Sequence, residues 1–327
     1  MGEVGRGKAN NLRDMERCVM SFGANDCAIA GCDKVIVVLG TILRASLRAL
    51  QLSGEVYKAR VTDAVELAKL GRSFRQDNLT MASLTGSFCE HFYEIADEQD
   101  LSSQQSGCAD MLVRTGSRII AYDTTYEAFL ETLALVPTPR SVAVVIGAGP
   151  AALSAVCACR ELGFHIVGVT SQSWISTETL HESEDAEKLR HLAALPTLWP
   201  TNSNDVETTK FSREMRLQFS EFARLAQVVI QTAPLDPSSD DIHRVSRIIS
   251  WPQTRKDTLV CDLAFGSRPS PFVAEAQRHG RSAISGIDML TTRGLRMMEI
   301  WTGLRPPLAP IRAAAIRTCE KGLRETT

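Results

Sequence analysis

Residues 141–169 carry the feature that most constrains this fold. An apolar run, Ser141-Val-Ala-Val-Val-Ile146, stops at Gly147-Ala-Gly149-Pro-Ala-Ala152. A helical stretch then reaches Leu162, and after Gly163 a second apolar run extends from His165 to Val169. This order reads as strand, tight turn, helix, strand. Glycine lets the chain turn sharply after the strand, and it lets an anion approach the free N–H groups at the helix N-terminus. Gly147, Ala148, Gly149, Pro150, Ala151 and Ala152 are therefore the candidate cradle of a dinucleotide, with Thr170 and Ser171 at the ribose end. A tight turn with no ligand uses the same spacing. An NAD site wants an acidic residue after the second strand and an NADP site an arginine, whereas this chain has Thr170-Ser171-Gln172-Ser173. Pro150 also removes one backbone donor. The expectation is a weak or lost NAD(P) site, with no cofactor assigned.

A length of 327 residues suits two domains. The punctuation by Gly and Pro predicts a tail or linker over 1–33, a first α/β domain over 34–138, a Rossmann-like domain over 139–310 and a C-terminal tail over 311–327. In the first domain, Val35 to Leu39 reads as a buried strand and Ile42 to Leu52 as a short helix. Met111–Val113 and Ile119–Tyr122 read as a strand pair. A net charge of -2 gives no field that draws the chain to nucleic acid or an anionic membrane. No apolar run is long enough to span a bilayer. Nine scattered cysteines without paired CxxC spacing argue against zinc. They fit a reducing compartment, cytoplasmic or nuclear. Cys157 and Cys159, two apart on a helix, read as core residues, and none of the six histidines has metal spacing.

Further segments carry a resemblance. Asp123-Thr124-Thr125, Gln231-Thr-Ala-Pro234, Asp262-Leu-Ala-Phe265, Gly286-Ile-Asp-Met-Leu290 and Glu299-Ile-Trp-Thr-Gly303 follow one another around the Gly147 turn. From about residue 33 to 310 the chain resembles the shikimate/quinate dehydrogenase family. The resemblance implies a two-domain α/β fold with a substrate domain ahead of the dinucleotide-binding domain. Chains of this look also form the last domain of the fungal pentafunctional shikimate-pathway protein and of the fungal quinate repressor, which regulates quinate-use genes.

Carried over motif by motif, the resemblance implies a vestigial pocket. The carboxylate-binding Ser-x-Ser-Pro falls on Ser46-Leu-Arg48-Ala49, and the catalytic lysine falls on Leu84. The substrate-binding asparagine falls on Asp110, and the catalytic aspartate of Asn-Thr-Asp falls on Thr125. The substrate-contacting glutamine falls on Arg293. Leucine cannot relay a proton, and a threonine hydroxyl has no useful pKa near neutrality. Asp110 would oppose an anionic substrate. Arg48 and Arg293 would either hold a carboxylate in a new way or fill the cleft. These losses imply a catalytically inactive regulator of the quinate-repressor kind. It would contact a protein partner, a transcriptional activator, without binding nucleic acid itself, and a small quinate- or shikimate-pathway ligand is the effector that the resemblance implies. The alternative is a diverged NAD(P)-dependent dehydrogenase rescued by an acid–base group such as Asp110 or Asp123. A third reading is a sensor that still binds a dinucleotide.

Overall fold

The computed structural model describes residues 26–324 except 32, 62–63, 77–78, 86–88, 201–209, 234, 236–239 and 267. The first half runs β1 (Cys27–Gly31), α1 (Asp33–Ala49), β2 (Val56–Arg60), α2 (Ala64–Gln76), β3 (Met81–Leu84), α3 (Cys89–Ile95), β4 (Glu98–Gln99), α4 (Leu101–Ser106), β5 (Met111–Thr115), β6 (Arg118–Tyr122) and α5 (Thr124–Leu133). Its sheet has the order β2-β1-β3-β5-β6-β4. The β1 strand is parallel to β2 and β3, whereas β5 is antiparallel to β3 and β6. The hairpin expected around Gly116 is therefore the β5–β6 pair.

Two expectations in this half are corrected. The first strand lies at Cys27–Gly31, inside the segment read as a tail. Val35 to Leu39 is helix, part of one uninterrupted α1. Ile36, Leu39, Leu43 and Leu47 recur at helical spacing and are all buried. Core contacts made by that face outweigh the strand preference of a Val-Ile-Val-Val run.

The second half runs β7 (Val142–Ile146), α6 (Pro150–Glu161), β8 (Ile166–Thr170), α7 (Thr177–His181), α8 (Glu184–His191), β9 (Leu195–Thr197), α9 (Lys210–Leu225), β10 (Val228–Gln231), α10 (Asp240–Arg247), β11 (Leu259–Asp262), α11 (Pro271–Arg278), β12 (Ser282–Ile284), α12 (Gly286–Thr302) and α13 (Leu308–Arg324). All six strands are parallel, in the order β12-β11-β10-β7-β8-β9. The order in which strands are added reverses between β7 and β10, the position where doubly wound sheets open a crevice at their carboxyl ends. Ala143 and Val145 of β7 face one apolar cluster with α6, while Val142, Val144 and Ile146 face another with α9 and α11. Burial on both sides is why β7 is apolar throughout.

Residues 311–324 are not a tail. Ile311 and Ala315 of α13 are buried in one cluster with Leu39, Ile42 and Leu43 of α1 and Leu295, Met297 and Met298 of α12. The chain end thus packs on the first half. Gly294 of α12 makes that contact close: a Cβ there would meet Ile42 Cγ2 at 2.4 Å.

Candidate active site: a closed pocket beside a glycine turn

The turn after β7 is built as its sequence implies. Gly147 has φ +123, and a Cβ there would lie 2.3 Å from Thr232 Oγ1 and 3.1 Å from the Ala233 amide nitrogen. Only glycine fits where the ends of β7 and β10 meet. Gly149 is the N-cap of α6, Pro150 begins the helix, and a Cβ at Gly149 would meet nothing within 4 Å. Proline at the first helical position removes an N–H that has no intrahelical acceptor, so it suits the helix while leaving one donor fewer for an anion. Ala148 and Ala152 are buried against the core. The turn thus leaves open space at Gly149 beside the N-terminus of α6, with one backbone donor fewer than a turn without proline. The ribose end does not supply a selector: Thr170 is fully buried and donates to the Thr197 carbonyl at 3.2 Å. The Ser171 hydroxyl bonds Ser173 at 3.0 Å.

The residues that the resemblance assigns to a substrate pocket separate into two groups. Asp110, Thr125 and Arg293 come together. Asp110 Oδ1 accepts from the Thr124 amide at 2.8 Å and its hydroxyl at 2.6 Å. Asp110 Oδ2 accepts from the Thr125 amide at 3.0 Å and its hydroxyl at 2.6 Å. Arg293 Nε lies 3.2 Å from the same Oδ2. Arg293 also donates to Thr124 Oγ1, to Ser83 Oγ and, at 2.9 Å, to the Leu84 carbonyl. Both charges are buried, with Asp110 at 4% and Arg293 at 9% exposure. The sequence led to the expectation that Asp110 would oppose an anionic substrate with its charge; instead its carboxylate is held by Thr124, Thr125 and Arg293. Arg293 is packed among these partners, nearly closed off from solvent.

The other group is elsewhere. Leu84 contributes only its backbone, the carbonyl to Arg293 and the amide to the Asp110 carbonyl, and its side chain sits in an apolar cluster with Ala30, Leu67, Leu70, Phe74 and Phe92. Ser46 and Arg48 lie near the end of α1. Ser46 is buried, and its hydroxyl finds no hydrogen-bond partner among the described residues. Arg48 is exposed. The uninterrupted α1 displaces the expected register of this motif from the pocket.

Asp123 completes the region. Its Oδ1 caps α5 by accepting from the Tyr126 amide at 2.8 Å, and its Oδ2 accepts from Ser154 Oγ of α6 at 2.6 Å. Burial, and then the neighbouring Asp110 charge, push its pKa up to about 7. Sequence reading missed Ser83, Thr124 and Ser154 as members of the site. Ser154 had a signal, one turn into the helix that follows the glycine turn. The hydroxyl of Ser83 had none.

Cys157 and Cys159 are both buried, and burial raises both thiols, Cys157 to about 12. They are core thiols. Among the described residues no group of three His, Cys, Asp or Glu side chains converges to hold a metal ion, and no helix is long and apolar enough to cross a membrane.

Comparison with known proteins gives the same frame. No family model matches the chain. A shikimate dehydrogenase (NADP(+)) of Geobacter metallireducens is 28% identical over 206 residues, 62% of this chain and 64% of that protein. The pentafunctional AROM polypeptide of Schizosaccharomyces japonicus is 28% identical over 184 residues, 55% of this chain but 10% of that protein. The chain thus spans less than two thirds of either. Among solved structures, shikimate dehydrogenase from Aquifex aeolicus superposes with a TM-score of 0.70 at 18% identity, covering 89% of this chain and 97% of that one. The chain has the two-domain shikimate-dehydrogenase-like fold, and its sequence is similar to those enzymes.

Proposed function

We propose that this chain is a diverged shikimate-dehydrogenase-like protein of quinate or shikimate metabolism, and that its function does not run through the family's lysine–aspartate relay. The observation that carries this is Arg293, whose guanidinium is held by Asp110, Ser83, Thr124 and the Leu84 carbonyl where a relay would need free acid–base groups. Such a relay is worth roughly 10²–10⁴-fold in rate.

Two roles are compatible with that statement. Similarity to proteins named as shikimate dehydrogenases favours an NAD(P)-dependent oxidoreductase with another proton acceptor. Asp123 supports this role, because its burial keeps a proton exchangeable near neutrality and Ser154 ties it to the cradle helix. The contacts of Arg293 favour the other role, a regulator of the quinate-repressor kind that contacts a transcriptional activator and needs no turnover. The comparisons and Asp123 weigh toward the first role, and the contacts of Arg293 toward the second.

The deciding experiment incubates the purified chain with shikimate or quinate and either NAD⁺ or NADP⁺, following reduced cofactor. Turnover lost in Asp123→Asn supports the oxidoreductase. Absence of turnover, with saturable binding of an activator, supports the regulator. Turnover unaffected by Asp123→Asn but abolished by Thr125→Val would restore a relay at the family's position and refute the proposal.

A further inference from the structure

We infer that Asp110 is a built-in ligand: its carboxylate fills, from inside the chain, a carboxylate-binding site assembled by Thr124, Thr125 and Arg293. This rests on the reading of the pocket as closed and states what the pocket is shaped to hold. Each carboxylate oxygen of Asp110 accepts from one backbone amide and one hydroxyl, and Arg293 approaches from the side at 3.2 Å. The donors come from distant parts of the chain, since Arg293 lies 169 positions beyond Thr124. The amides and the guanidinium are also placed without Asp110. The two amides belong to the first turn of α5, whose N-terminus carries positive potential. The guanidinium is separately fixed by Thr124 Oγ1, Ser83 Oγ and the Leu84 carbonyl.

Remove the Asp110 side chain, and what is left is two amides and two hydroxyls directed at one vacated volume, with a buried guanidinium beside it. That set matches a small carboxylate. In the intact chain a dissolved carboxylate must compete with a tethered one at high effective concentration. The contact is therefore autoinhibitory: a carboxylate metabolite cannot occupy this end of the cleft while Asp110 is in place.

The test compares Asp110→Ala in sodium formate and in sodium chloride of equal ionic strength. Formate is expected to raise the Tm of the variant over chloride by about 2–4 °C once it exceeds its dissociation constant roughly tenfold. It should leave the intact chain equal in the two salts. It should do nothing for the double variant Asp110→Ala with Arg293→Met. Equal melting of Asp110→Ala in the two salts overturns the inference, as does an equal formate response in the intact chain. If Asp110→Ala does not fold unaided, refolding yield in the same salts is read instead. A higher yield in formate supports the inference, and equal yields, nil included, overturn it. Neither readout depends on turnover, so failure here and failure of the proposed function are distinguishable.

Discussion

The hydroxyl of Ser154 donates to the carboxylate of Asp123 at 2.6 Å, tying the helix that follows the glycine turn to the cap of α5. Asp123 is 1% exposed and lies beside a second buried carboxylate, Asp110. This placement makes the carboxyl costly to ionise.

Stability should therefore depend on pH through Asp123. Its pKa rises from the ordinary 3.8 to about 7 on folding, so between these values the folded chain keeps a proton that the unfolded chain has released. That difference costs nothing below the lower value, grows as pH rises, and is complete above about 7. Asparagine keeps an oxygen for the Tyr126 amide and cannot ionise. Asp123→Asn should raise Tm over the unsubstituted chain at about pH 8, and by less at about pH 5. Thermal melts that run parallel across this range would contradict the assignment.

Restoring a lysine at position 84 should not restore a relay. Leu84 is fully buried among Phe74, Phe92 and Leu67. Leu84→Lys places an ammonium in that cluster and should destabilise the chain by about 4 kcal/mol or more. Urea denaturation measures this directly. A Leu84→Lys chain as stable as its parent would mean that the position faces water.

The two cradle glycines should respond differently. Gly147→Ala forces a Cβ against Thr232 at a left-handed φ and should cost about 2–3 kcal/mol. Gly149→Ala points a methyl into open space from an ordinary φ of -73 and should change stability by less than about 0.5 kcal/mol. If a dinucleotide uses this turn, Gly149→Ala weakens its binding in calorimetric titration without lowering Tm.

Ser46→Ala should stabilise the protein. The hydroxyl is fully buried and without a hydrogen-bond partner among the described residues, so it gains nothing that offsets its desolvation. Alanine also favours the helix interior. A gain of about 0.5–1 kcal/mol is expected in chemical denaturation. A loss of stability would indicate a hydrogen bond to water at this position.

Sequence alone determined the strand–turn–helix–strand unit that opens the second half. The Ser141–Val169 pattern fixes strand, turn and helix because a doubly buried strand must be apolar throughout and a strand-to-helix turn must begin on glycine. It also picked out Asp110, Thr125 and Arg293 as neighbours, and these meet in space, whereas Ser46 and Arg48 do not join them. Tertiary structure decided the rest. The Val35–Leu39 run became helix because its burial is set by contacts with α12 and α13, hundreds of residues downstream. Whether Asp110 and Arg293 would be two stray charges or one neutral plug depended on bringing residues from opposite ends of the chain within 3.2 Å. No local pattern encodes that distance, because burial of a charge is tolerated only when the fold supplies its partner.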